Sequence, residues 1–204
     1  MHVLIFSWEY PPRIVGKLAT YVHELATQLS RHKISVHVIT YHEFMTGVNE
    51  DSGIKTVRVT NPVRTHTGVL TWVLTLNQEV ERAAANVYYE KNRKIDLIDV
   101  HDWHFIPAAV TLKAALNVPF IYSVESLEDH RSHFANQPFN MAIKSIEWLG
   151  MYEAALITVK SDWMKEEAAR LYNAPKQKIA VISPESPSWI ANILNTYTRV
   201  TGGA

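Results

Sequence analysis

Residues 3–6 are apolar without a break, and Leu18, Tyr21, Val22, Leu25 and Leu29 then recur three or four positions apart. The first pattern predicts a strand covered on both faces, and the second a helix with one apolar face. The same pair of signals repeats along the chain. Further strands are predicted over 36–40, 56–59, 97–100, 120–124, 156–159 and 179–182, and helices over 68–91, 103–116, 139–151 and 161–173. Strands separated by helix-length connections predict an α/β fold: a three-layer, Rossmann-like unit whose mostly parallel sheet carries helices on both faces. In the tail, Ser186 is the expected N-cap and Pro187 the first helical residue, ahead of an apolar stripe of Trp189, Ile190, Ile193, Leu194 and Tyr197. A C-terminal helix within 184–204 is therefore expected to pack back on the domain formed by 1–183.

Polar clusters punctuate this frame at one end of the strands. WEYPPR follows the first predicted strand, HDWHF the fourth, ESLEDHR the fifth, KSDW the sixth and SPES the last. In an open α/β sheet that edge is where strand carboxyl ends and helix amino ends converge and where ligands bind. Pro11 and Pro12 cannot continue a strand, since each lacks a backbone donor, and Gly16 permits a close approach to the helix start. A ligand cleft lined by these five loops is expected. Within it, Glu9 and Tyr10 offer a carboxylate and a ring suited to a sugar, and Lys17 adds positive charge at a helix N-terminus. His101 can donate to a sugar hydroxyl or accept a proton near neutral pH, while Asp102 and Trp103 shape the turn that follows. Glu125 can accept from sugar hydroxyls, and Glu128, Asp129 and Arg131 form either an acceptor-binding or a structural ion-pair set. The EEAARLY segment at 166–172 reads as an ordinary helix surface.

Composition narrows the classes. At 204 residues with 47% hydrophobic content, one compact domain is expected, and 20 acidic residues balance 20 basic ones, so no whole-molecule field gathers nucleic acid. Without cysteine there is neither a disulfide framework nor a thiolate nucleophile. The N-terminal segment lacks a basic leader, and no apolar run is long enough to span a bilayer, so a cytoplasmic location away from membranes is expected. His101 with His104, and His130 with His133, have metal-compatible spacing, but neither pair has convincing further ligands, and no metal is assigned. An independent small α/β enzyme such as a hydrolase finds no support, because GxSxG, Walker A and GxGxxG patterns are all missing.

Four stretches taken in order, WEYPPRIVGKLATYVHELA, DLIDVHDWHF, PFIYSVESLEDHR and ITVKSDWMKEEAARLYNAPKQKIAVI, resemble the N-terminal half of GT-B retaining glycosyltransferases, with glycogen and starch synthases as the nearest branch. The resemblance implies an acceptor-binding lobe that faces a second lobe holding most of the nucleotide-sugar donor, ADP- or UDP-glucose in that branch. The second lobe is missing between residue 183 and SWIANILNTYTRV, which resembles the helix that crosses back onto the first lobe. On the same resemblance, Gly16 matches the first of two glycines near the donor diphosphate, with Lys17 at the second. His101 matches an active-site histidine near the donor sugar, while Glu125 stands where a histidine is common. The resemblance thus implies a glucan or other sugar acceptor and no transfer by this chain alone, the donor lobe being a separate partner. The alternative is a non-catalytic regulatory or protein-interaction module, with a homodimer formed through the former cleft face.

Overall fold

A computed structural model describes residues 1–92 and 94–202. Eight strands form one sheet in the order β3-β4-β2-β1-β5-β6-β7-β8, with every pairing parallel except β3 with β4. The strands are β1 (His2–Ser7), β2 (Ser35–Tyr41), β3 (Gly47–Asp51), β4 (Ile54–Val59), β5 (Leu97–His101), β6 (Phe120–Ser123), β7 (Leu156–Val159) and β8 (Ile179–Val181). The helices are α1 (Lys17–Arg31), α2 (Val69–Glu90), α3 (Ile106–Leu116), α4 (Glu128–Arg131), α5 (Pro138–Glu153), α6 (Asp162–Tyr172) and α7 (Trp189–Thr201). Among the described residues, no helix is long and apolar enough to cross a membrane.

The unbroken apolar strands are explained by two cores. Leu4 and Phe6 of β1 face one core with Leu76 and Val80 of α2, Leu112 of α3, Met151 of α5 and Ala168 of α6. Val3 and Ile5 face the other with Leu18, Val22 and Leu25 of α1 and Ile193 and Tyr197 of α7. The chain winds outward from β1 in both directions, so strand order reverses between β1 and its neighbours β2 and β5. Such a switch point opens a crevice at the strand carboxyl ends.

The structure adds elements and moves boundaries. β3 was not among the predicted strands, because GVNED has no apolar face and all five residues are exposed. Its turn has positive φ at both Ser52 and Gly53, as a type I′ two-residue hairpin loop requires. The predicted helix over 103–116 begins with a single 3-10 turn (Trp103–Phe105) and becomes α3 only at Ile106. In the tail, Ser186 and Pro187 lie before the helix, which starts at Trp189 with Ser188 at the cap position and no side-chain cap bond. The EEAARLY segment is not all surface, since Ala168 and Tyr172 of α6 are buried. Gly150 lets α5 lie against the sheet layer: a Cβ there would sit 2.8 Å from Ile106 Cδ1 and 3.0 Å from Tyr122 Cδ1.

α7 is fastened as well as packed. The Tyr197 hydroxyl donates to Asp99 Oδ2 at 2.5 Å, with both side chains fully buried. A hydrogen bond to a buried charge contributes about 1.5–3 kcal/mol. Tyr197→Phe is therefore expected to lower stability by about that amount while the denaturant slope stays constant, as measured by urea unfolding.

Candidate functional site

The loop after β1 is folded around one carboxylate. Ser7 Oγ donates to the Glu9 carbonyl at 2.7 Å, and Glu9 Oε2 accepts the backbone N–H groups of Val15 at 2.6 Å and Gly16 at 2.7 Å. Gly16 is the cap position of α1 and has no side chain to offer, so Glu9, only 2% exposed, supplies the acceptor for these amides. A negative group at a helix N-terminus also complements its dipole. The place where this helix start would receive an anion is thus filled by the chain's own carboxylate. Tyr10 is turned away from the crevice into the core beneath α1, with its ring edge-on to His23. Lys17 is exposed and lines an open cleft of about 520 Å³ together with Tyr21, Lys160, Ser161, Ser183 and Glu185.

Beside that cleft, at the end of β5, stands His101, fully buried between two carboxylates. Its Nε2 lies 3.3 Å from Asp99 Oδ2 and its Nδ1 3.6 Å from Glu125 Oε1, although neither ring nitrogen makes a well-aligned hydrogen bond. Burial alone would push this imidazole down, but Asp99 and then Glu125 outweigh it and raise the pKa to about 9. Burial would likewise raise the Asp99 carboxyl, yet His101, Tyr197 and Ser123 hold it below its ordinary value. Glu125 pairs on its other side with Lys160, whose ammonium lies 4.6 Å from the Tyr21 ring centroid. Tyr21 in turn meets His101 edge-on at 5.8 Å. A protonated imidazole placed in this way has both N–H groups turned to carboxylates of the chain itself, and Tyr21, Glu125 and Lys160 close around it.

The turn after His101 carries the site's backbone strain. Asp102 adopts φ 65° and ψ 175°, a region that only glycine enters freely. Its amide donates to Ser123 O at 3.0 Å, and its carboxylate lies 3.5 Å from His104 Nδ1 and 3.9 Å from Arg131. Asn77, buried in α2, fixes the turn from behind by donating to His104 O at 2.9 Å and accepting the amide of Ala108 at 2.8 Å. His104 is stacked between Trp103 at 4.3 Å and Trp8 at 4.7 Å. The stack continues outward. Arg13 lies 4.6 Å from the Trp8 ring and 5.0 Å from Tyr41, and Tyr41 meets Trp72 edge-on at 4.8 Å. A ladder of rings and one guanidinium therefore ties the ends of β1, β2 and β5 to α2.

Arg131 sits in an ion cluster beside the cleft rather than within it. It donates to Glu147 at 2.5 Å, Glu128 at 3.1 Å and Ser126 at 2.7 Å, while Glu147 also accepts the Glu128 amide and the Tyr172 hydroxyl. Asp129 pairs with Lys144 at 2.7 Å, and His130 with Glu167 at 2.9 Å. Among the described residues, no three metal-type ligands converge. The crevice edge thus brings together Lys17, His101 and Glu125 and adds Asp99, Tyr21 and Lys160, which the sequence reading did not single out. Asp99 was the readable one, as the one carboxylate in the otherwise apolar run LIDV.

Two measurements test this geometry. Because folding raises the His101 pKa from 6.5 to about 9, its contribution to stability is complete below pH 6.5 and is lost as pH rises through about 9. Urea midpoints of the wild type are expected to fall across that window, and the fall to be much reduced in His101→Gln. At the strained turn, Asp102→Gly is expected to be more stable than Asp102→Ala by about 1–3 kcal/mol in the same assay, because both lose the carboxylate but only glycine relaxes the backbone.

Comparison with known proteins agrees with this architecture. Residues 18–184 match the family model described as Glycosyltransferase Family 4. An uncharacterized glycosyltransferase of Methanocaldococcus jannaschii, MJ1607, is 33% identical over 184 residues, covering 89% of this chain and 45% of that protein. Glycogen synthase of Mycobacterium tuberculosis is 25% identical over 199 residues, covering 89% of this chain and 47% of that enzyme. The chain thus spans about half the length of the curated relatives it matches. Sucrose-phosphate synthase from Thermosynechococcus elongatus shares the fold, with a TM-score of 0.70 at 18% identity over 90% of this chain and 48% of that one. The chain, matched along most of its length, belongs to glycosyltransferase family 4.

Proposed function

We propose that this chain is the acceptor-side lobe of a retaining glycosyltransferase of the glycogen and sucrose-phosphate synthase type, binding a glucan or related sugar. It does not transfer a glycosyl unit without a nucleotide-sugar lobe. The observation that carries this reading is the Glu9 carboxylate on the Val15 and Gly16 amides, which leaves the start of α1 already capped by an anion. A donor pyrophosphate requires free positive groups at such a place, whereas a neutral sugar requires hydroxyl partners and rings. The crevice edge supplies the latter through Lys17, Tyr21, Ser183 and Glu185 around the cleft and Trp8 on the adjoining rim.

In this role His101 is a positioning group. Its charge is compensated by Asp99 and Glu125, so it would orient Glu125 and Lys160 toward a sugar hydroxyl rather than carry a proton away. Lys17 and Lys160 are the cations through which a separate donor lobe would meet this face, and ADP- or UDP-glucose would be held mainly by that lobe.

A second reading, a non-catalytic interaction module, draws on one specific observation. His101 has no exposure, and Glu125 and Lys160 close around it as a self-compensated set. Under that reading the exposed Ile14 and Val15 beside the cleft would be covered by a second copy of the chain.

The experiment is a calorimetric titration, followed in parallel by tryptophan emission, with a maltodextrin of several glucose units and separately with UDP-glucose and ADP-glucose. Saturable heat with the maltodextrin, weakened at least about tenfold by Lys17→Ala, and none with either nucleotide sugar is the expected outcome. Binding of a nucleotide sugar by the isolated chain would overturn the reading. Silence toward all three ligands, with a concentration-dependent dimer in light scattering, would establish the second.

A further inference from the structure

A second cleft opens on the α1 face of the sheet, between α1 and the β3–β4 edge, where that helix no longer covers the strands. Its volume is about 460 Å³. Alternation along β4 turns Ile54, Thr56 and Arg58 onto this face, and β3 adds Asn49 opposite Thr56 and Asp51 opposite Ile54. Tyr10, His23 and Thr27 close the other side. This cleft is distinct from the one at the strand carboxyl ends, with which it shares no lining residue.

The anomaly in this cleft is Arg58. It is 8% exposed, yet among the described residues no carboxylate lies within ion-pair distance of its guanidinium. Its Nη2 donates to the Pro11 carbonyl at 2.8 Å, and its Nη1 donates to the Asn49 amide oxygen at 2.7 Å. Nε has no hydrogen-bond partner. Two arginines that are less buried are nevertheless paired with carboxylates. Arg131 meets Glu147 and Glu128, and Arg13 meets Glu43. A desolvated guanidinium with only neutral acceptors is an incomplete ion pair, because burial of a charge is offset only when a counter-charge and its hydrogen bonds are present.

We propose that a small oxyanion, the phosphate or carboxylate group of a low-molecular-weight ligand, binds in this cleft against Arg58. The Tyr10 hydroxyl, which accepts from Thr56, keeps its own proton to donate there, and a planar guanidinium matches the oxygens of either group. Asp51 does not compete. It pairs with Ile54 on the ladder while Arg58 pairs with Gly47, so the two are four residues apart along β4, about 13 Å. The cleft is larger than a bare phosphate, leaving room for a further polar portion of the ligand. Because Arg58 also holds the Pro11 carbonyl, the bound anion would brace the loop that carries Glu9.

The test is thermal unfolding of the whole chain in increasing inorganic phosphate and, separately, acetate, with ionic strength held constant by chloride. A saturable rise in the midpoint with either anion is expected in the wild type, and the more effective anion identifies the group. Arg58→Met is expected to remove the rise. Because that variant loses the Pro11 clasp, Thr27→Glu is the second arm: it places a carboxylate in the cleft from the α1 surface, leaves Arg58 in place, and should weaken apparent anion affinity at least about tenfold. No saturable rise with either anion in the wild type, or an equal rise in Thr27→Glu, overturns the proposal.

Discussion

One buried carboxylate organises the crevice edge. Asp99 has no exposure and sits in β5, the central strand beside the switch point, where an unpartnered charge would be strongly unfavourable. Its partners come from three elements, and a fourth supports one of them. Ser123 of β6 donates at 2.7 Å and itself accepts from Thr158 of β7 at 2.9 Å, Tyr197 reaches in from α7, and His101 closes the set from β5. The requirement to satisfy Asp99 therefore fixes both the charge of His101 and the docking of the C-terminal helix. The packing of α7 and the chemistry of the crevice are two results of one electrostatic constraint.

The same logic separates the two helix starts that face the crevice. α6 begins with Ser161, whose hydroxyl accepts the Met164 amide, a local cap written into three residues of sequence. α1 begins with glycine and borrows its cap from Glu9, seven residues upstream. The borrowed cap links the end of β1 to the start of α1 through a charge, so the loop between them is held at both ends. A local cap leaves its loop free, whereas a borrowed one does not.

Legibility in the sequence followed the range of the interactions. The parallel sheet and its helices were readable because burial on two faces imposes continuous apolar strands, and burial on one face imposes helical spacing. Residues 3–6 and the stripe from Leu18 to Leu29 show both effects. β3 escaped because an exposed, charged edge strand has no hydrophobic period to read. Strand polarity puts the loops that carry the candidate residues at strand carboxyl ends, but what each one touches depends on partners far away in the chain. Glu9 reads as a free carboxylate until Val15 and Gly16 are seen on it. Tyr10 reads as a crevice ring until α1 is seen to cover it. Glu147 and Tyr172, which hold Arg131 in an ion cluster, lie 16 and 41 residues beyond it, and no local pattern joins them.

The ladder from Trp103 through His104, Trp8, Arg13 and Tyr41 to Trp72 has an entropic consequence. Loops at the edge of an α/β sheet ordinarily lose conformational freedom when a ligand arrives, and that loss is subtracted from affinity. Here the ends of β1, β2 and β5 are stacked on one another by the fold itself, so most of that ordering is completed by folding. Association along this rim should then resemble the meeting of two rigid surfaces, with its heat-capacity change set by the area of ring and methylene desolvated and not by coupled folding of the loops.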